Sequence, residues 1–532
     1  MAKNIVLCSD GTGNAGGRGN ETNVRRIYQA IDRNSARGDQ IAFYDDGVGT
    51  EENKYLKLFG GAFGAGFTRN VKDLYRTLVK NYTAGDDIYM FGFSRGAYTV
   101  RALAAFVAKC GVIDDGLAME EQQLDDAIEL LLDAYEERRR DQTEVTVSGI
   151  STTQTRIKCV GVWDTVSAIG LPFDILLEQV IVQFFKFAFR DQDLSSRVEY
   201  GFHALAIDDE RLTFHPVTWN AREGVEQVWF AGVHSNVGGG YPKQGMAYVT
   251  LDWMMEKVAY DNAKGWGLDF DAGLRAEVRQ FANVHDKLYD SRAGVAAYYR
   301  YAPRDIENLT PSDGAVMVHD SVFDRIEAKT LAYNPGSIPS NRDIDIVTNT
   351  GAPPNPARQA RVTAQRAQRG QILGGARRWI NARKSLHLAF ILFSMLVAAA
   401  ALHLGVPHLL PEWATVYAVP ALFGVIILVI MVTMPRIRYF VLCVAAAAAF
   451  AVFALGPQSW FGGPITLPGW INELLTFVLP DLLADLIVQF IAGYPYGAAA
   501  VVVVAGVIVT LKGIFRKNAA RIFERGCDTL RP

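Results

Sequence analysis

The stretch "DDIYMFGFSRGAYTVRALAAFVAKCG", residues 86–111, decides how this chain is read. Its first part is a short apolar run of strand character, and its last part carries the periodicity of a helix. Between them stands Gly92-Phe93-Ser94-Arg95-Gly96. Gly-x-Ser-x-Gly at a strand-to-helix corner describes a nucleophile elbow. The turn is so sharp that side chains at Gly92 and Gly96 would collide with the neighbouring chain. The serine is pushed out over the end of the sheet, with its hydroxyl accessible.

A serine is a weak nucleophile until a histidine takes its proton, and the histidine needs a carboxylate to fix its tautomer. On an α/β-hydrolase sheet these follow in the order Ser, Asp/Glu, His, each past the C-terminal end of a strand. "TRIKCVGVWDTV" is a β-rich run ending at Asp164, and "GVEQVWFAGVHSNVGGGY" is another, ending at His234. Ser94, Asp164 and His234 are therefore the expected triad. His319, after the short run "VMVH", is the rival base, and Asp208 and Asp209 are the rival acids. The surrounding "HALAIDDER" reads as helical, which puts His203 in a helix. The oxyanion hole is expected from the N–H of Arg95 and from the glycine-rich turn after the first strand, at Gly11 and Thr12. That turn, "SDGTGN", lacks the lysine of a P-loop and the Gly-x-Gly-x-x-Gly spacing, so nucleotide binding is not expected and no cofactor is implied.

Seven segments carry a family resemblance in this order: "SDGTGN", "YDDGVGT", "GAFGAGFTRNVKDLYRTL", "FGFSRGAYTVR", "GVWDTV", "HALAIDDER" and "WFAGVHSNVGGGY". Over residues 3 to 330 the chain resembles the catalytic domain of the type VI secretion phospholipase effectors. The resemblance implies an α/β-hydrolase fold and a serine lipase or phospholipase, with the triad on Ser94, Asp164 and His234. It departs from the expected pattern at Asn236, where an acidic residue is expected after the His-Ser pair.

The rest of the chain differs. Of 532 residues with a net charge of −3, nothing favours nucleic acid as a partner. The five cysteines have no Cys-x-x-Cys spacing, which fits a reducing compartment. The N-terminus shows no secretory signal. The hydrolase domain is expected over 1–333, a Pro/Gly-rich and then basic linker over 334–385, a transmembrane domain over 386–512 and a basic tail over 513–532. Apolar runs at 386–406, 414–434, 439–455 and 496–511 carry no Asp, Glu, Lys or Arg and read as four spans. Arg377, Arg378, Arg383 and Lys384 before the first, Arg436 and Arg438 between the second and third, and Lys512 to Arg525 after the last all fall on one side. Both termini are then cytoplasmic, in a multi-pass protein of the bacterial inner membrane. Segment 471–493, with Pro480, Asp481 and Asp485, reads as an interfacial or re-entrant helix. The apolar segment 171–193 reads as a buried helix or a lid, and 119–142 as an amphipathic helix.

The expected function is a membrane-anchored serine hydrolase cleaving acyl esters of membrane lipids. The membrane domain leaves room for a homo-oligomer or a regulatory partner. The alternative is a membrane-disrupting effector of a bacterial conflict or antiphage system, in which the hydrolase fold senses or assembles. A chain cut after residue 333 is expected to keep its activity on soluble esters.

Overall fold

In the computed structural model the strand-like runs of the first half become one parallel sheet. The structure describes residues 2–11, 20–46, 63–114, 116–137, 144–166, 194–312, 314–405 and 495–532. Strands β1 (Asn4–Ser9), β2 (Gln40–Asp45), β3 (Asp87–Phe93), β6 (Ile157–Trp163), β7 (Val198–Ala206), β8 (Val225–Phe230), β9 (Val316–His319) and β10 (Ile344–Val347) lie in the order β10-β9-β8-β7-β6-β3-β1-β2. Every pairing in it is parallel. Between β3 and β6 the short strands β4 (Val112–Ile113) and β5 (Thr152–Thr153) form a separate antiparallel pair. The fold is α/β.

A parallel sheet must be covered on both faces, so its strands are apolar at odd and even positions alike. In β1, Ile5 and Leu7 join one core while Val6 and Cys8 join the other. In β3, Ile88 and Met90 face the first core, and Tyr89, Phe91 and Phe93 the second. Helices α2 (Phe63–Asn81), α3 (Arg95–Cys110) and α4 (Glu121–Glu137) close the first face. Helix α1 (Asn23–Ala30) and the helix Gly245–Val258 close the second. The same two-faced burial explains why "HALA" was misleading. His203 lies in β7, not in a helix, because a short run buried on both faces has no period-two alternation to reveal it as a strand.

The chain forms two compact units, Met1–Gly375 with Ile522–Pro532, and Ala376–Arg521. The first therefore runs past residue 333. Within the stretch read as linker, Ile344–Val347 pairs with β9 as the edge strand. Asn355 caps the helix Pro356–Ala364, which has proline in its first turn. Arg358 of that helix is paired with Asp320, Asp324 and Glu327 of the helix Asp320–Glu327. The last residues return to this unit: Leu530 and Cys527 are buried, the Phe523 ring lies against Gly336, and Arg361 donates to the Leu530 carbonyl at 3.0 Å. The prolines, glycines and asparagines that read as linker are caps and turns here.

The second unit contains the helix Arg377–Gly405 and most of the helix Pro495–Asp528. Trp379 and Phe515 pack with ring centroids 5.8 Å apart. These helices cover the first and fourth runs read as spans, yet among the described residues no helix is long and apolar enough to cross a membrane. The runs at 414–434 and 439–455 and the segment 471–493 lie outside the described residues, as does 171–193.

Candidate active site

The order of strands reverses at β1, since β2 lies on one side of it and β3 on the other. Open parallel sheets bind ligands beyond the C-terminal ends of their strands at such a switch point. The residues singled out in the sequence gather along this edge. Ser94 follows β3 with φ 59° and ψ −121°, a conformation that non-glycine residues rarely adopt. It costs about 1–3 kcal/mol and persists because packing forces it. A Cβ on Gly96 would lie 2.1 Å from the Ser9 carbonyl oxygen, and one on Gly92 would lie 2.6 Å from the Ala97 Cα. Both glycines are thus demanded by the close approach of α3 to the ends of β1 and β3.

Asp164 follows β6, also at positive φ, and is fully buried. His234 begins a short helix, His234–Gly238, just past β8. The two meet: His234 Nδ1 lies 2.6 Å from Asp164 Oδ2. An ionised carboxylate only accepts, so Nδ1–H donates and Nε2 carries the lone pair. The imidazole packs against Phe93, the residue before Ser94, with centroids 4.6 Å apart, and edge-on against Phe214 at 5.1 Å. Nε2 is buried with no hydrogen-bond partner among the described residues. Burial lowers the affinity of His234 for a proton, and its bond to Asp164 opposes this only in part.

The rival residues sit elsewhere. His319, at the end of β9, caps the following helix: Nδ1 accepts from the Ser321 N–H at 3.3 Å, and Nε2 bonds Asn349 at 2.8 Å. Both its nitrogens are engaged. Asp209 accepts from the His234 backbone N–H at 3.2 Å and is paired with Arg211. Asp208 accepts from the Gly232 N–H at 2.7 Å and from the Tyr333 hydroxyl at 2.8 Å. The two aspartates hold the backbone of the His234 loop rather than its ring. Asn236 donates to the Lys287 carbonyl at 3.1 Å, which a carboxylate could not do.

At the oxyanion loop, the Gly11 N–H is taken by Asp10 Oδ1 at 2.6 Å. Thr12 lies outside the described residues. Arg95 opens α3, which places its N–H at the helix N-terminus directly after the nucleophile. Among the described residues no group of His, Cys, Asp and Glu is placed to hold a metal ion.

Sequence reasoning missed Arg304. Its guanidinium is buried and forks onto Asp164, Nη1 to Oδ1 at 2.6 Å and Nη2 to Oδ2 at 2.8 Å. Burial alone would raise the Asp164 carboxyl, but Arg304 and His234 hold it well below the usual carboxylate range. Arg304 sits in the loop "YAPRD", which has no motif to mark it.

Buried histidines make the fold acid-sensitive. Burial pushes His203 down to about 3 and His319 down to about 4, whereas both titrate near 6.5 when unfolded. The unfolded chain therefore binds more protons below pH 6.5, and stability is lost as pH falls from there. By pH 5 each histidine costs about 2 kcal/mol, at 1.36 kcal/mol per pH unit. Asp208, raised to about 6 by burial, acts oppositely and returns about 1 kcal/mol at pH 5. Urea unfolding should show a net loss of about 2–3 kcal/mol between pH 7.5 and 5. His319→Gln should remove about 2 kcal/mol of that loss, and an unchanged decline would contradict the assignment.

The uncharacterized protein YEL023C of Saccharomyces cerevisiae is 26% identical over 237 residues, which is 40% of this chain and 32% of that protein. The match thus spans about a third of that relative's length. The Tle1 effector bound to the VgrG spike of the type 6 secretion system covers 46% of this chain and 52% of its own at 17% identity, with a TM-score of 0.29. An uncharacterized protein from Pseudomonas aeruginosa covers 78% and 56% at 14% identity, with a TM-score of 0.28. Residues 3–257 match the family model of the Tle1-like phospholipase effectors of the type VI secretion system, catalytic domain, so this part of the chain is similar to that catalytic domain.

Proposed function

We propose that the N-terminal domain is a serine ester hydrolase of the lipase or phospholipase kind, with Ser94 as nucleophile, His234 as base and Asp164 orienting the base. The observation that carries this reading is the His234–Asp164 bond of 2.6 Å, formed beside the strained turn at Ser94. The match to a phospholipase effector family supports the same chemistry. In the reaction, Ser94 Oγ attacks the ester carbonyl while its proton passes to His234 Nε2. The imidazolium returns that proton to the departing alcohol, leaving an acyl-enzyme. Water, deprotonated by His234, then releases the fatty acid. The N–H of Arg95 faces the charge that develops on the carbonyl oxygen.

Membrane lipid is the substrate class we favour, with the chain held at the bilayer through its apolar C-terminal runs, chiefly 414–434 and 439–455. Attachment raises the local concentration of substrate without any added contact. Residues Ile522–Pro532 belong to the same compact unit as the N-terminal domain. Any membrane segment between them must therefore leave the bilayer on the side where it entered. In a bacterial host, a C-terminal alkaline phosphatase fusion should be inactive and a fluorescent-protein fusion bright. The reverse pattern would contradict this topology.

Lipid mass spectrometry on cells expressing the wild type and Ser94→Ala tests the function. Lyso-lipid and free fatty acid should accumulate only with the wild type. Equal membrane permeabilisation by both proteins, with no lipid cleavage, would favour the membrane-disrupting effector instead.

A further inference from the structure

The acid of the candidate triad is bound more heavily than orientation of a histidine requires. Asp164 accepts from four donors: His234 Nδ1 at 2.6 Å, the Ala206 N–H at 2.9 Å, and the two arms of Arg304 at 2.6 and 2.8 Å. Arg304 also donates to the carbonyls of Ala206 and Phe214. Its guanidinium is thereby fixed from three directions and cannot swing away from the carboxylate. A planar fork against a carboxylate, with both groups buried, is the strongest pairing available to an aspartate.

We propose that Arg304 is a positioning residue for the base: by occupying both oxygens of Asp164 it keeps that carboxylate an obligate anion and holds His234 neutral and ready to accept a proton. This role for Arg304 rests on the reading of His234 and Asp164 as base and acid. A buried cation beside the pair opposes any second positive charge, so it disfavours the imidazolium form of His234 in the resting site. Its charge also disfavours the protonated form of Asp164, so the histidine's proton stays on Nδ1. His234 then remains unprotonated to lower pH than in a site whose acid is held by backbone N–H groups alone.

Other ionisable groups stand on the elements around this pair, among them Arg95, which follows Ser94 and whose buried guanidinium is pushed down to about 10. His203 stands on β7, where burial keeps it neutral, with its Nε2 accepting from the Thr165 N–H at 3.1 Å. Past the end of β7, Asp209 is paired with Arg211, and Asp208 lies beyond it. Arg101 of α3 packs 4.7 Å over the Trp219 ring. Tyr241 follows the short His234 helix and is coupled to Asp209 and Arg211. Among these, Asp209 and Arg211 act on His234 in opposite senses, and Arg304 is the cation seated directly on the carboxylate that the ring bonds.

The test reads the His234 ring directly in the full-length chain, by NMR of histidine-labelled protein in a Ser94→Ala background. That readout does not depend on catalysis. With Arg304 present, His234 should titrate below 6.5, and Arg304→Gln should move its midpoint up by about one unit or more. An unmoved midpoint in a folded Arg304→Gln protein overturns the proposal and leaves Arg304 a structural residue. If Arg304→Gln alone fails to fold, the double variant Asp164→Asn, Arg304→Gln decides. Its recovery of a cooperative melt shows that Arg304 answers the charge of Asp164, whereas its failure to fold overturns the proposal. In the protein with Ser94 intact, the rate of labelling by a fluorophosphonate probe should show the same displacement of its acid limb. Absence of any labelling of the wild type would instead reject the hydrolase reading, without touching the titration result.

Discussion

Alanine at position 94 should abolish ester hydrolysis, lowering kcat by about 10⁴- to 10⁶-fold. The fold should be left intact, because the change removes one hydroxyl from a turn whose geometry is set by its neighbours. Gly96 packs on the Ser9 carbonyl and Gly92 on the start of α3, and neither contact involves Ser94 Oγ. His234→Ala should fall to a similar level, since the nucleophile and its base act as one unit and their losses do not add. Asp164→Asn is expected to cost about 10⁴-fold by allowing the wrong tautomer. The control is His319→Ala. It removes a helix cap and the bond to Asn349, so it should lower the melting temperature while sparing turnover at 25 °C. The measurement is hydrolysis of a soluble short-chain ester alongside a thermal melt for each variant. Near-normal turnover in His234→Ala with loss in His319→Ala would reverse the choice of base.

In the sequence that choice rests on each of the three residues ending an apolar run. A parallel sheet delivers strand ends to one edge, so any three such residues are brought to the same side. Which of them touch was not legible. Asp164 and Asp209 both come from strand ends beside His234, and only the backbone after β7 decides that Asp209 binds the loop N–H while Asp164 binds the ring. Arg304 was invisible for a related reason: it reaches Asp164 across 140 residues of chain from a loop without repeating pattern. The oxyanion loop was readable as a glycine-rich turn, yet the Gly11 N–H is spent on Asp10, a local bond that composition does not reveal. The boundary near residue 333 was misread because the same residue types serve linkers, caps and turns.

That boundary has a large consequence. A chain cut after residue 333 loses β10, the helix carrying Arg358, and the returning residues 522–532. It should therefore aggregate rather than act as a soluble esterase. The edge strand β9 would be left unpaired on one side, a direct invitation to intermolecular pairing. A chain cut after Gly375 restores β10 and Arg358 but still lacks Phe523 and Leu530. Fully burying a large apolar side chain contributes about 1.5–3 kcal/mol. Leu530 is fully buried and Phe523 half-buried, so the two together supply about 2–4 kcal/mol, a large share of the 5–15 kcal/mol of a typical domain. The structure offers a way to keep them. A Cβ placed on Gly375 would lie 3.8 Å from the side chain of Ile522, so the chain leaves and re-enters this unit at neighbouring points. Replacing 376–521 with a short Gly/Ser linker should then give a folded protein that hydrolyses soluble esters at the full-length rate. On liposomes it should be much slower than the full chain, because it must find the surface by weak binding alone. Side by side, the spliced protein should melt cooperatively, the Gly375 truncation at a markedly lower temperature, and the residue-333 fragment not at all. Equal melting of the spliced and Gly375-truncated proteins would show that the C-terminal residues add nothing to the catalytic unit.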